Sequence, residues 1–203
     1  MKKAILFLCI SLVAMLSFYA QWGGGGSKII LKSGDVKKIS TEKSIKVEYD
    51  YSKMKVGEYN SEDEYVSKKV KEYNAKEKGK GDKWKEGWEG ARKDRYQPKF
   101  EELFNKAADG ITIGENPAKS KYTLTVKTTF IEPGFNVGIS KKPAFVNFEF
   151  SFVETDNPTN VVAELYLNNV IGSQSMGFDF DSGSRIAESY AKAGKMLAKF
   201  IAK

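Results

Sequence analysis

The chain has 203 residues, a net charge of +7 from 33 basic and 26 acidic side chains, and no histidine. The missing histidine excludes Ser-His-Asp and Cys-His catalysis and the usual zinc sets, and removes the commonest acid–base group near neutrality. The basic excess is mild and interspersed with acids, which suits solubility or an anionic surface better than a nucleic-acid stripe, so no nucleic-acid partner is expected.

The chain opens MKKAILFLCISLVAMLSFYAQ. Lys2 and Lys3 precede an almost wholly apolar run from Ala4 to Ala20, the layout of a secretory signal peptide cleaved after Ala20. The run is slightly short for a span of roughly 20 apolar residues, so membrane association is expected only if the signal stays uncleaved. Cys9 is the sole cysteine. The preceding LFL lacks the small residue of a lipid-attachment box, so the mature chain is expected to carry no thiol, disulfide or lipid anchor. About 180 residues then remain, enough for one domain with a core.

WGGGGSK at 22–28 has no side chains to pack and predicts a flexible linker. KIILK after it predicts an edge strand, so that 21–43 precedes a single domain over 44–203. In SIKVEYDYS, Ile45, Val47, Tyr49 and Tyr51 alternate with polar residues, as in a half-buried strand. SEDEYVSKKVKEYNAKEK begins with acids and ends in lysines, matching the helix dipole. GDKWKEGWEGARKDRY restarts the pattern with Asp82 as N-cap. Pro98 then opens a helix whose Phe100, Leu103, Phe104 and Ala107 face a core.

Three strands follow. Tyr122, Leu124, Val126 and Phe130 share one face in the first; Val146, Phe148, Phe150 and Phe152 in the second; Val161, Ala163, Leu165 and Leu167 in the third. The joining segments IEPGFNVGISKKP and TDNPTN are turn-rich and favour antiparallel neighbours. The chain closes with a helix capped by Ser184. Its stripe is Ile186, Tyr190, Ala193, Leu197 and Ile201, bordered by Ala187, Ala191, Gly194 and Ala198. Strands with one apolar face, followed and preceded by helices, predict an α+β two-layer sandwich: a mostly antiparallel sheet with helices on one face.

KYTLTVKTTFIEPGF, KKPAFVNFEFSFVETDNPTNVVAEL and SRIAESYAKAGKMLAKFI together resemble a group of small bacterial envelope domains. The group includes the N-terminal domain of the Tol-system propeller protein, the curli secretion lipoprotein and the lipoprotein activators of penicillin-binding proteins. VETDNPTNVVAE approximates a phrase of that group but lacks its glycine. VEYDYS followed by a tryptophan-containing segment is similar to uncharacterised small secreted proteins of Gram-negative bacteria. The resemblance implies a periplasmic or secreted accessory role that works by binding another envelope protein. It supplies no catalytic residues and no cofactor.

Candidate contact residues are Phe135, Val137, Ile139, Lys141 and Lys142 in the long 131–143 segment, since long loops with apolar residues often bind. The same alternation fits a plain hairpin extension. An exposed strand edge could also accept a partner strand. Trp84 and Trp88, one helical turn apart, either pack in the fold or form a platform for glycan or peptidoglycan. The polar sheet face, with Lys46, Glu48, Thr123, Thr125, Lys127, Asn147, Glu149, Glu164 and Tyr166, is a solvated face or a docking surface. FDFDSGS at 178–184 lacks the ligands of a calcium loop, so no metal is expected. A hydrolase would need two carboxylates converging on a cleft, and no pair is marked.

Overall fold

The computed structural model describes residues 26–117, 119–137, 140–172 and 182–203. The signal sequence, Ile139, and the part of FDFDSGS up to Asp181 lie outside the described residues. One sheet runs in the order β1 (Ile29–Gly34), β9 (Asn157–Ile171), β8 (Phe145–Glu154), β5 (Tyr122–Glu132), β2 (Ser44–Asp50) and β4 (Thr112–Gly114), with β3 (Lys55–Val56) also on β5. From β1 to β5 all neighbours are antiparallel, joined by short connections or by pairing of the N-terminal strand. β2 is parallel to both β4 and β5, because the helices between β2 and β5 form a crossover. The fold is thus α+β, with a mostly antiparallel open sheet and helices packed against it.

The helices are α1 (Lys37–Ser40), α2 (Glu62–Lys76), α3 (Lys80–Ala91), α4 (Gln97–Ala107) and α5 (Ser182–Ile201). α4 and α5 roof the sheet. Phe100 meets Phe150 at 6.0 Å between ring centres, and Tyr190 takes Phe148 edge-on at 4.9 Å. Leu124, Val126, Phe152, Leu165 and Leu167 complete the buried layer from the sheet side, and Ile186, Leu197 and Ile201 from α5. Burial of each such side chain contributes about 1.5–3 kcal/mol. Gly194, one of the small residues bordering the α5 stripe, lies against α4 at the backbone of Phe100. α2 and α3 pack on each other beyond this layer.

Several local expectations are corrected. Asp82 is not the N-cap of α3: the cap is Gly79, and Asp82 already lies in the first turn. Asn74 at the end of α2 does the capping from outside, accepting from the Gly81 amide at 2.8 Å and donating to Asp82 at 3.3 Å. Pro98 does start a helix, but the chain does not break before it. A single π turn, Arg92–Tyr96, joins α3 to α4. Pro98 has no N–H to give to the carbonyl four residues back, and a wider turn accommodates that loss. Ser184 lies inside α5 rather than at its cap, where its hydroxyl accepts from Arg95 at 3.2 Å.

Two strands carry irregularities that invert part of the expected pattern. Thr128 continues the buried alternation of Tyr122, Leu124 and Val126, and a register shift between Thr128 and Phe130 then turns Phe130 out of the core. The buried Thr128 hydroxyl is satisfied by Tyr190 at 2.6 Å. In β9 the shift opposite Phe152 and Val153 buries Val162 and leaves Val161 48% exposed. Each extra residue in a strand flips the following side chains to the other face.

Candidate partner-binding surface

Ile131 and Glu132 of the 131–143 segment end β5, and beyond them the segment neither stays irregular nor continues that ladder. It forms its own two-stranded arm, β6 (Phe135–Val137) against β7 (Ser140–Lys142). Pro133 and Pro143 lack the amides a continuous ladder requires, so the segment is set off from the main sheet. Gly134 makes the bend at the foot with φ +66°, and a β-carbon there would meet the Lys142 carbonyl at 2.5 Å.

The foot is held from two sides. Glu132 is buried, accepts from the Gly134 amide at 3.1 Å, and pairs with the Lys142 ammonium at 2.5 Å. The Arg185 guanidinium of α5 donates to the carbonyls of Pro133 at 3.3 Å and Gly134 at 3.4 Å. Lys142 is therefore engaged in the foot, whereas Lys141 is exposed. Phe135, paired across the arm with Lys142, is 43% exposed. Val137 pairs with Ser140 through its backbone.

At the same end of the sheet, on the face that the helices leave open, Phe130 stacks on Phe145 with ring centres 5.4 Å apart. Ile171, opposite Phe145 in the ladder, is 49% exposed. Phe130 belongs here only because of the bulge, which is why its alternation with Leu124 and Val126 concealed it.

The middle of the open face is polar. Lys127 donates to Glu149 at 2.9 Å, Lys32 pairs with Glu164 at 3.4 Å, and Lys46 with Glu48 at 2.6 Å. The bond to Glu149 holds the Lys127 ammonium above the usual lysine range. Lys32 also lies 5.4 Å from the Tyr166 ring centre. Lys32, Lys127, Glu149, Glu164 and Tyr166 rim a depression of about 170 Å³. Glu149 and Glu164 both line it, on adjacent strands, and each is engaged by a lysine.

Trp84 and Trp88 are placed elsewhere and differently from each other. Trp88 is 6% exposed, and its indole N–H donates to Glu62 at 2.6 Å. Arg92 engages both oxygens of the same carboxylate. Trp84 is half-buried, 5.7 Å from Trp88, Tyr65 and Tyr73. The pair therefore fastens α3 to α2, and a stacking platform would need ring faces that Trp88 has already buried. The Glu62–Arg92–Trp88 cluster was not legible, since its members lie a helix apart in sequence. A larger open cleft of about 740 Å³ between Asp50–Lys55 and Asn60–Asp63 ends at Arg92, whose guanidinium lies 4.4 Å from the Tyr51 ring centre. Among the described residues no acidic cluster could hold a metal ion, and no helix is long and apolar enough to cross a membrane.

The fold and surface thus define a two-layer α+β domain with an open sheet face, an apolar corner and a projecting arm. Two solved structures are distantly similar to it, both PelC dodecamers from Paraburkholderia phytofirmans. One, a point variant, is 14% identical over 87% of this chain and 98% of its own, with a TM-score of 0.41. The other is 14% identical over 87% and 99%, with a TM-score of 0.38. No protein-family model matches the chain, and no curated protein matches its sequence.

Proposed function

We propose that this protein is an exported, non-enzymatic accessory domain of the Gram-negative envelope, periplasmic or secreted, that works by binding another protein. The observation that carries this reading is the apolar corner of half-buried Phe130 and Phe145 with exposed Ile171, together with exposed Phe135 on the arm that leaves the same end of the sheet. Exposed apolar side chains gathered on an otherwise charged face mark interaction sites. The arm is also held at its foot, so Phe135 is presented on a fixed support rather than a loose loop, which lowers the ordering cost of binding. The signal-like N-terminus and the resemblance to envelope domains supply the address.

A photo-crosslinking residue placed at Phe135 tests the proposal in cells. One discrete adduct at 135, absent with the crosslinker at Glu58 and abolished by Phe130→Asp, is expected. Equal crosslinking at both positions, or no effect of Phe130→Asp in a folded variant, discards it. The glycan alternative retains only Trp84 of its two tryptophans. The hydrolase alternative would rest on Glu149 and Glu164, and cell-wall fragments left intact by the pure protein would count against it.

A further inference from the structure

The two edges of the sheet are finished differently. At the β4 edge, Asn105 covers the strand: its amide donates to the Ile113 carbonyl at 3.1 Å and its carbonyl accepts from the Ile113 amide at 2.7 Å. β4 is also only three residues long, so little free backbone remains there. At the other edge β1 pairs with β9 through Ile29–Leu167, Ile30–Tyr166 and Leu31–Leu165. Among the described residues no strand lies on its outer side. An antiparallel strand paired on one side directs the N–H and C=O groups of alternate residues outward. Ile30 is 56% and Leu31 40% exposed on this edge.

Lysines outnumber acids around β1, where Asp35, Glu42 and Glu164 also lie. α5 touches β1, and Gly194 faces α4, so the opposite flank of α5 borders the β1 edge. Helical spacing puts Lys192, Met196 and Lys199 on that flank, and Lys203 follows two residues after the helix ends. Met196 and Phe200 pack partly into the core there. Lys28 precedes β1, and Lys37 and Lys38 follow it on α1. Lys32 is matched by Glu164, and Lys192 donates to the carbonyls of Ile171 and Gly172. Lys28, Lys37, Lys38, Lys199 and Lys203 have no acidic partner among the described residues. Lysines on an edge strand repel a second copy of the same edge, and the same field draws in an acidic strand.

We propose that the open edge of β1 and the basic flank of α5 bind an extended acidic polypeptide segment by strand addition. The segment continues the sheet beyond β1 through main-chain hydrogen bonds; its alternate side chains fall on opposite faces, apolar ones beside Ile30 on the open face and carboxylates on the helix face toward α5 and Lys199. The proposal rests on the reading of the domain as a protein-binding module, but uses a surface apart from the arm.

The test uses the whole protein and labelled heptapeptides: one alternating valine and glutamate, one alternating valine and lysine, and the acidic one N-methylated at alternate amides. Fluorescence anisotropy should show binding of the acidic peptide, weakening as salt rises. Amide exchange should slow across Ile29–Gly34. The lysine peptide, the N-methylated peptide and the K199E/K203E double variant should each lose about tenfold or more in affinity. Phe130→Asp should leave peptide affinity unchanged while abolishing the crosslink from position 135, so the two proposals fail separately. Equal binding of the N-methylated peptide, protection mapped to the arm, or capture by phosphatidylglycerol vesicles with no peptide binding would overturn the assignment.

Discussion

Gly194 of α5 faces the carbonyl oxygen of Phe100 on α4 so closely that a β-carbon would stand 2.2 Å from it. The contact sets the separation of the two helices that roof the sheet, and hence the depth at which Tyr190 and Phe100 reach Phe148 and Phe150.

Gly194→Ala should therefore force the helices apart and cost about 1–3 kcal/mol, as overpacking does. Gly87, mid-helix in α3 with open space around it, is the natural control. Gly87→Ala should raise stability by roughly 0.5–1 kcal/mol. Urea denaturation midpoints moving in opposite directions would confirm the pair; a neutral Gly194→Ala would refute the close packing.

Glu62 serves both Trp88 and Arg92. Its removal in Glu62→Ala leaves a half-buried guanidinium and an indole N–H without their acceptor. The cost should be about 2 kcal/mol, less than for a fully buried pair because both side chains keep some contact with water. Tryptophan emission should shift to the red as α3 loosens from α2. An unchanged spectrum and midpoint would show that the cluster does not anchor these helices.

Burial pushes the Glu101 carboxyl above the usual glutamate range, nearby Glu115 adds to this, and the hydrogen bond from Tyr49 at 3.0 Å opposes it. The folded state thus holds this proton more tightly than the unfolded state. The stability this group contributes is full below the unfolded pKa and is lost as pH rises through the folded one. Glu101→Gln should gain on the wild type as pH rises from about 4 to 7, where an ordinary glutamate has ionised. Denaturation at both ends of that range checks the sign, and a variant that falls behind the wild type at the higher pH contradicts it.

Gly134→Ala should disturb the arm more than the domain. Its positive φ and the nearby Lys142 carbonyl leave no room for a side chain, and a misfit of this kind costs on the order of 1–3 kcal/mol. Amide exchange should accelerate in Phe135–Val137 and Ser140–Lys142 while Leu124 and Phe150 stay protected. Uniform acceleration across the sheet would mean that the arm is not a separate unit.

The core strands were legible because each is wet on one face, so Leu124, Val126, Phe148 and Phe150 stand out by alternation. Alternation fails at a bulge: Phe130 and Val161 kept the period in sequence but not in space, whereas Thr128 kept the period and was hidden by its polar side chain, which Tyr190, 62 residues distant, satisfies. The cap of α3 was misplaced for a related reason, since Asn74 supplies it from the preceding helix. Of the candidate surface, Phe135 and Lys141 were visible as apolar and basic residues in a long connection. The apolar corner was not, because Phe145 and Ile171 become neighbours only when β8 meets β9.

The sheet joins two kinds of neighbour. β5, β8 and β9 follow one another along the chain, whereas β1 must find β9 with Ser27 and Asn169 142 residues apart. Closing long loops is slow and near ones fast. The first strand of the sheet in chain order is therefore the last to be seated, and until β9 folds Ile30 and Leu31 wait without a partner, dependent on their lysine neighbours to keep other chains away.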